Sequence, residues 1–298
     1  MRSRSGYAEL VTCGLVWGSI GVLVKKSPVS APVIVFFRLA LGALVVILWH
    51  GARGRLRELR LRGRRPLLLS SGFTLALHWV FFFLAFKRLS IATVILIVYV
   101  GPVFMALLAP HILGERLERR TVTSLILSLA GIALIAVPAA GGRSAIGLAA
   151  ALIAMISFVA LVFIGKRVVE EYQPAAIVAW QLGSAAVFVS PALIAARAHA
   201  IESSLPSLVA LGVIHTGVCG LLYFRAMQVV KAQHMGILAY LEPVTAVLWA
   251  WVFIQEKPAL LTLAGGVLII SAGLNIVITS RRAIASVEVP ESQVEIQS

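Results

Sequence analysis

The 298-residue chain has little charge: 13% of its residues are Asp, Glu, Lys or Arg, whereas 60% are hydrophobic. Soluble domains carry about 25% charged residues, so the composition excludes an ordinary soluble fold. A membrane-spanning helix needs about 20 apolar residues. The length therefore allows about ten spans joined by short loops, and it leaves no room for a separate soluble domain.

Motifs that carry chemistry are also scarce. The two cysteines, Cys13 and Cys219, both lie within apolar runs, which predicts buried free thiols rather than a disulfide or a metal site. A P-loop (G-x-x-x-x-G-K-[ST]) is absent, and so are the H-E-x-x-H and G-x-S-x-G patterns of proteases and hydrolases. We therefore expect no enzymatic activity, no cofactor and no bound metal. A channel and a membrane-embedded enzyme are the alternative classes.

Acidic residues are few, 12 against 26 lysines and arginines, so the formal net charge is +14. In membrane proteins, basic residues concentrate in cytoplasmic loops. With a cytoplasmic N-terminus, 17 basic residues fall on that side and 7 on the other, which predicts that both termini are cytoplasmic. The most basic stretch, residues 51–66, is expected to rest on anionic lipid rather than to bind nucleic acid. A regulatory role is the alternative for this stretch.

Ten apolar runs, most of them bounded by proline, are the predicted membrane spans. They cover residues 7–24, 31–50, 66–86, 91–113, 121–138, 145–165, 174–196, 205–229, 232–254 and 258–280. Arg2 and Arg4 precede the first run, but no A-x-A-like cleavage site follows, so this run is predicted to be an uncleaved helix. The polar residues 283–298 are predicted to form a disordered cytoplasmic tail.

The two halves of the chain resemble each other. The segment AFKRLSIATVILIVYVGPVFMALLAPHILGERL is similar to AMQVVKAQHMGILAYLEPVTAVLWAWVFIQEKP, and the matched residues are 141 positions apart. The matched pairs include Trp17 and Phe158, Tyr99 and Tyr240, Pro102 and Pro243, and Glu115 and Glu256. Five helices in each repeat is an odd number, so the second repeat must enter the membrane from the opposite side.

The predicted fold class is thus all-α and integral to the membrane, with ten transmembrane helices. Residues 1–140 form the first five-helix repeat and residues 141–282 the second, inverted repeat, around a central midplane cavity. Inverted repeats are the usual device of alternating-access carriers, which favours a transporter over a channel. Pro102 and Pro243 lie inside long helices and are predicted to bend them during gating. The sequence leaves the oligomeric state open, and a monomer is compatible with it.

Three segments carry a family resemblance: LVWGSIG in the first span, FFRLALGAL in the second and VGPVFMALLAPHILGERL in the fourth. Over residues 7–280 they resemble the EamA-type drug/metabolite transporter superfamily, as does the proline-then-glutamate pattern of both halves. HWVFFFLAFKRLSIATVILIVYVGP is similar to bacterial aromatic amino acid exporters of the YddG type, which also export the dication paraquat. The resemblance implies secondary export of aromatic amino acids across the bacterial inner membrane. Sister branches that move threonine or homoserine, purines or cysteine metabolites are the alternatives.

Several aromatic and ionisable residues lie at midplane depth, roughly 13 to 20 Å from the nearer helix start at 1.5 Å per residue. They are Trp17, His78, Tyr99, Phe158, Tyr240 and Glu242, with Phe82 one turn after His78. Aromatic walls suit an indole or phenyl ring, or an organic cation, so these residues are the predicted substrate site. His78 is predicted to hydrogen-bond a substrate carboxylate or to carry a proton. Helix packing is the alternative role for the aromatic rings, and for His78 the alternative is a ring satisfied by the backbone of a neighbouring helix.

Two charged residues, Arg38 and Glu242, fall well inside spans. A lone buried charge costs several kcal/mol, so each must be paired, hydrated or, for Glu242, protonated. Glu242 is predicted to couple transport to protons or to neutralise a substrate amine, with an arginine pair as the alternative. It stands where the first repeat has Gly101, which leaves the coupling mechanism open. Arg38 is expected to reach the headgroups, and Gly14 and Gly18 are expected to pack helices together.

Overall fold

The computed structural model describes residues 2–25, 27–89, 91–136, 144–195, 198–255 and 257–287. Over these residues the regular structure is helical throughout, without a strand. The prediction of an all-α fold is therefore confirmed. Glu256, the boundary between the predicted repeats at residues 140 and 141, and residues 288–298 of the predicted tail all lie outside the described residues.

Seven helices precede residue 137 and seven follow residue 144. The first seven are α1 (Arg2–Gly18), α2 (Ile20–Lys25), α3 (Ala31–Ala52), α4 (Arg65–Phe86), α5 (Ile91–Val98), α6 (Gly101–Leu113) and α7 (Arg119–Ala136). The second seven are α8 (Ala145–Val168), α9 (Pro174–Val189), α10 (Ala198–Val209), α11 (Cys219–Met227), α12 (Ala232–Ala239), α13 (Leu241–Ile254) and α14 (Leu260–Val287). A π-helical segment, Ala210–Val218, joins α10 to α11, and short 3₁₀ turns occupy Leu56–Leu59 and Ser190–Ala195.

Nine helical segments of the described residues are long and apolar enough to cross a membrane. They are Ser5–Val24, Ala31–Ala52, Arg65–Phe86, Thr93–Leu113, Ala145–Val168, Pro174–Ile194, Ala198–Met227, Ala232–Phe253 and Leu260–Ile278. Each coincides with one of the ten predicted spans. The remaining prediction, residues 121–138, falls on α7, which is not among the nine, so the tenth crossing stays a prediction. Helix α14 continues through residues 283–287, which the sequence analysis assigned to the tail.

The fourth and ninth spans are both interrupted, and at equivalent positions. Residues 99–100 separate α5 from α6, and Tyr240 separates α12 from α13. Pro102 and Pro243 lie in the first turn of the second helix of each pair. A proline there costs no intrahelical hydrogen bond, because the first N–H groups of a helix have no partner within it. The prolines therefore lie near the start of a new helix at both positions. Their part in gating stays a prediction.

Helices of the two halves interdigitate. Helix α1 packs on α11 and α13, α4 packs on α8 and α9, and α7 packs on α14. The α7–α14 contact is closest at Gly131 and Gly265: a Cβ at either would lie 2.6 or 2.4 Å from the carbonyl oxygen of the other. Since each of these contacts joins a helix before residue 137 to one after residue 144, neither half has a separate core.

The predicted packing role of Gly14 and Gly18 is confirmed. Both glycines face α13, and a Cβ at Gly18 would lie 2.1 Å from the Thr245 hydroxyl oxygen. Thr245 Oγ1 in turn donates to the carbonyl oxygen of Gly14 at 2.8 Å. The small residues thus let α1 approach α13 closely enough for Thr245 of α13 to form a hydrogen bond with the backbone of α1.

Candidate functional site

An aromatic stack forms where α4 faces α8. The His78 ring centroid lies 5.6 Å from that of Phe82, with the planes at 24°, and 5.7 Å from that of Phe158, with the planes at 28°. His78 Nδ1 donates to the carbonyl oxygen of Ala154 at 2.8 Å. A carbonyl oxygen only accepts, so this bond places the proton of a neutral ring on Nδ1 and leaves Nε2 as an acceptor. The three predicted residues His78, Phe82 and Phe158 are thus brought together.

Arg38 lies inside the helix bundle, where it is 8% exposed. Its Nε donates to Thr216 Oγ1 at 3.3 Å, and its guanidinium carbon lies 4.5 Å from the centroid of the Trp79 ring. Thr216 belongs to the π-helical segment and donates to the carbonyl oxygen of Leu211 at 2.8 Å. The expectation that Arg38 reaches the headgroups was wrong, because a hydroxyl and an aromatic face hold the charge inside.

Glu242 lies in the first turn of α13, where the helix dipole favours a negative charge. Its carboxylate interacts with the Tyr99 hydroxyl and electrostatically with Arg38. Among the described residues no ion pair joins Arg38 to Glu242, so the two charges interact electrostatically at a longer distance than a direct contact. The sequence analysis identified Glu242 as a site residue but did not identify Arg38 as its electrostatic partner. The sequence feature that indicates this partner is that the two residues carry opposite charges and both lie well inside predicted spans.

The two repeat-related tyrosines contact each other, with ring centroids 5.5 Å apart and planes at 40°. Tyr240 is fully buried, and its hydroxyl donates to the carbonyl oxygen of Tyr99 at 2.5 Å. It packs among apolar residues that include Ile132, Val244 and Ile269. In this conformation the Tyr240 ring fills the core and its hydroxyl is engaged, so the prediction that Tyr240 forms a wall of the substrate site stays a prediction. Tyr240 supports Tyr99, whose hydroxyl reaches Glu242.

Trp17 lies in a separate aromatic contact. Its Nε1 donates to the carbonyl oxygen of His215 at 2.7 Å, and its ring centroid lies 5.6 Å from that of Tyr223. The His215 ring bonds to Ser19 Oγ at 2.8 Å through Nε2 and to the carbonyl oxygen of Ala210 at 3.0 Å through Nδ1. Trp17 and its repeat equivalent Phe158 are thus in different clusters.

The aromatic stack and the charged pair are neighbours. His78 and Trp79 are consecutive on α4, so this helix contributes to both. Gly101, two residues after Tyr99, packs on Phe158: a Cβ there would lie 3.4 Å from the Phe158 ring. Helix α4 and the segment from Tyr99 to Gly101 therefore contribute both to the aromatic stack and to the surroundings of Arg38 and Glu242.

At one end of the bundle, residues 227–233 are held by three charged side chains. Glu115 accepts from the backbone N–H of Ala232 at 2.8 Å and thereby caps α12. Lys166 Nζ donates to the carbonyl oxygens of Met227, at 2.9 Å, and Val230. The third contact is an ion pair between Lys231 and Glu118. Together these contacts tie the α11–α12 loop to the end of α6 and to α8.

A small cavity of about 320 Å³ lies beside this network. Its lining residues are Leu113, Glu115, Lys166, Val169, Glu170 and Gln228.

The hydrogen bond from Lys231 holds the pKa of Glu118 below its ordinary value, so the carboxylate stays ionised and paired at neutral pH. Glu115, the acidic residue of the proline-then-glutamate pattern, thus has a structural role in joining the two halves.

Comparison with known proteins gives consistent results. Two segments of the chain, residues 4–137 and 145–278, match the EamA-like transporter family. The chain is 25% identical over 295 residues to the uncharacterized transporter YxxF of Bacillus subtilis, covering 96% of this chain and 94% of that protein. It is 28% identical over 279 residues to the pseudopaline exporter CntI of Pseudomonas aeruginosa, covering 90% of this chain and 94% of that protein.

A protein of known crystal structure superposes with a TM-score of 0.81 at 21% identity, covering 94% of this chain and 98% of the other. That similarity shows the fold alone, whereas the family match covers nearly the whole sequence in two copies. The chain is therefore a member of the EamA-like transporter family, a multi-pass membrane transporter of small molecules with one family repeat in each half.

Proposed function

We propose that the protein is a secondary exporter of aromatic amino acids, or of similarly shaped amphipathic molecules, in the bacterial inner membrane. In this proposal α7 is the tenth membrane span, and both termini are cytoplasmic. The distribution of basic residues supports the orientation. The packing of α7 along α14, itself a candidate span, supports the tenth crossing. Substrate binds between the repeats and leaves outward as the two halves rock.

The observation that carries the proposal is that Arg38 and Glu242, two opposite charges inside the helix bundle, interact electrostatically without forming a direct ion pair. An amino acid zwitterion has a carboxylate for the first and an ammonium group for the second. Its ring would join His78 and Phe158, where offset stacking contributes about 0.5–1.5 kcal/mol beyond area burial. The His78 and Phe158 side chains are half-buried, as is Glu242, which supports a central cavity with these groups on its wall.

Glu242 has a second possible role in the same site. A carboxylate that exchanges its Arg38 partner for a proton could couple substrate release to proton movement. The two roles make different predictions. A counter-ion role requires only that the substrate carry an amine, whereas a coupling role makes transport depend on a proton gradient.

The network around Glu115 and Lys166 supports alternating access. It lies at the end that the loop charges assign to the cytoplasm, and it joins the two halves there. We propose that it is the closed cytoplasmic gate of this conformation, and that its contacts break when substrate enters from inside.

Transport by purified protein in liposomes tests the function. Radiolabelled tryptophan, threonine and methyl viologen should be offered separately, with and without a proton gradient. Movement of tryptophan and methyl viologen but not threonine is the expected result, and protein-free liposomes give the background. Movement of threonine alone, or of none of the three, would overturn the assignment of aromatic substrates while leaving the fold intact.

A second candidate follows from the similarity to the pseudopaline exporter, which is 28% identical over 90% of this chain. By that similarity the protein would export pseudopaline. The same liposomes, loaded with labelled pseudopaline in competition with tryptophan, separate the two: the substrate that is transported faster at equal concentration is the better assignment.

A further inference from the structure

An apolar groove of about 900 Å³ lies on the outside of the bundle, among α3, α4 and α9. Ligand pockets commonly measure about 300–1,000 Å³, so the groove is large enough to hold a ligand. Its apolar lining includes Ile47, Leu69, Phe73, Trp180, Val187 and Phe188. All six side chains are exposed, and they lie within candidate membrane spans. The groove therefore opens sideways toward lipid rather than into the space between the repeats.

Hydroxyl groups in the groove are already engaged. Ser70 Oγ donates to the carbonyl oxygen of Leu67 at 2.8 Å, and Ser184 Oγ donates to that of Trp180 at 2.6 Å. Both bonds lie within a single helix, so neither hydroxyl proton is available to a polar ligand. A ligand in the body of the groove must therefore be apolar.

One end of the groove is closed by the basic segment, residues 51–66. Its 3₁₀ turn, Leu56–Leu59, lies against α3 and α9, and Leu59 is buried. Trp180 Nε1 donates to the carbonyl oxygen of Leu59 at 2.6 Å. The bond attaches the basic segment to α9 where the groove begins, so a ligand lying along α9 would have its end beside this segment.

Arg60 is the charged residue of the groove lining. The basic segment contains seven arginines and one acidic residue, Glu58. Arg64 is paired with Glu171 at 2.8 Å, and Arg55 lies 3.9 Å from Glu58. The ion pairs of the described residues do not include Arg60, so its guanidinium group at the mouth of an apolar groove has no anion.

We propose that this groove is a binding site for one anionic glycerophospholipid, with an acyl chain along α9 and the phosphate at Arg60. The occupant combines the two properties the site requires, a long apolar body and a negatively charged end. A zwitterionic phospholipid has the same chains but no net charge, so it fits the groove without neutralising the charge of Arg60. The site is independent of the substrate proposed above, because it lies on the lipid-facing side.

Native mass spectrometry of the detergent-purified protein, with phosphatidylglycerol and phosphatidylcholine added in equal amounts, tests the proposal. The unmodified protein should retain one phosphatidylglycerol in preference to phosphatidylcholine. Arg60→Gln should weaken phosphatidylglycerol binding by about fivefold, the usual effect of about 1 kcal/mol for one basic residue at a membrane surface. Arg57→Gln, in the same segment but outside the groove lining, is the matched control and should have less than half that effect.

Gly183 allows the groove to be filled. A Cβ at this position meets no atom within 4 Å, so Gly183→Trp projects an indole into open space, and Gly183→Ala is the conservative control. The tryptophan variant should lose retained lipid of both kinds, whereas the alanine variant should bind as before. Val187→Trp, at a residue 70% exposed, serves the same purpose if Gly183→Trp does not fold.

Three results would overturn the proposal. They are equal retention of the two lipids by the unmodified protein, equal effects of Arg60→Gln and Arg57→Gln, and unchanged retention in a folded tryptophan variant. The second result would mean that the basic segment attracts anionic lipid without a defined site.

Discussion

The hydroxyl of Tyr240 donates a 2.5 Å hydrogen bond to the backbone carbonyl oxygen of Tyr99, the residue at the equivalent position of the other repeat. Both residues lie at the interruption of their span. The contact therefore joins the interruption of the fourth span directly to that of the ninth.

Tyr240→Phe should lower the stability of the protein by about 1 kcal/mol, since it removes one buried hydrogen bond and keeps the ring. Thermal unfolding followed by intrinsic fluorescence measures the change. Tyr99→Phe is the paired variant: its hydroxyl reaches Glu242 rather than a backbone carbonyl, so it should alter substrate affinity more than stability. Equal unfolding temperatures for Tyr240→Phe and the unmodified protein would contradict the assigned role of Tyr240.

Arg38→Gln and Glu242→Gln should each impair recognition of a different end of the substrate. Charged hydrogen bonds contribute about 1.5–3 kcal/mol, so the loss of affinity should be about tenfold or more. Arg38→Gln should weaken tryptophan but not tryptamine, which lacks the carboxylate. Glu242→Gln should weaken tryptophan and tryptamine but not indole-3-propionate, which lacks the amine. Competition against labelled tryptophan in liposomes gives these affinities. If both variants weaken all three compounds equally, the charges have a structural role only.

Phe158→Leu should reduce the affinity for tryptophan by about threefold to tenfold, because it removes a stacking partner worth about 0.5–1.5 kcal/mol and keeps an apolar side chain. Phe104→Leu, at a residue 43% exposed on α6, is the matched control and should have no effect. The measurement is the concentration of tryptophan that half-saturates transport. An unchanged value for Phe158→Leu would remove the aromatic stack from the site.

The Lys231–Glu118 pair predicts a pH dependence of the cytoplasmic gate. The pKa of Glu118 is lowered from its ordinary value of 4.5, so the Lys231–Glu118 pair makes its full contribution to the stability of the gate above pH 4.5. Its contribution is lost as the pH falls below 4.5 and through the lowered pKa of Glu118. For an exposed pair it amounts to at most about 1 kcal/mol.

A cysteine introduced at Gln228 reports on that gate, since Cys13 and Cys219 are both buried. Maleimide labelling at neutral pH should be faster in Glu118→Gln than in the parent, because one contact of the gate is removed. Glu115→Gln should increase the rate further, since it weakens the cap of α12. Identical labelling rates in all three proteins would mean that these contacts do not hold the gate closed.

Composition and periodicity were sufficient to predict the helical fold and nine of the spans, because the need for about 20 apolar residues leaves a strong signal. The sequence located Glu242 and His78 by depth alone. It could not place Arg38, because depth along a helix does not say which way a side chain points, and a long basic side chain can reach either the headgroups or the interior.

Tyr240 shows the limit of the internal repeat as a guide. A residue pair related by sequence offset need not be equivalent in surroundings when it lies at the axis itself. There the two rings meet: the Tyr240 ring packs among Ile132 and Ile269, whereas the Tyr99 hydroxyl interacts with Glu242. Sequence symmetry matched the two tyrosines correctly but did not indicate that their surroundings differ.

Gly101 and Glu242 lie in the first turns of α6 and α13 and occupy equivalent positions in the two repeats, but only Glu242 carries a carboxylate. In an inverted repeat, the inward-facing and outward-facing forms arise when the two halves exchange conformations. Identical halves would make these forms equal in free energy. An acidic group in one half alone makes the free energies of the two forms unequal, so one form is more populated at rest. A proton or an amine that neutralises Glu242 then shifts the equilibrium between the forms, by the difference between its affinities for them.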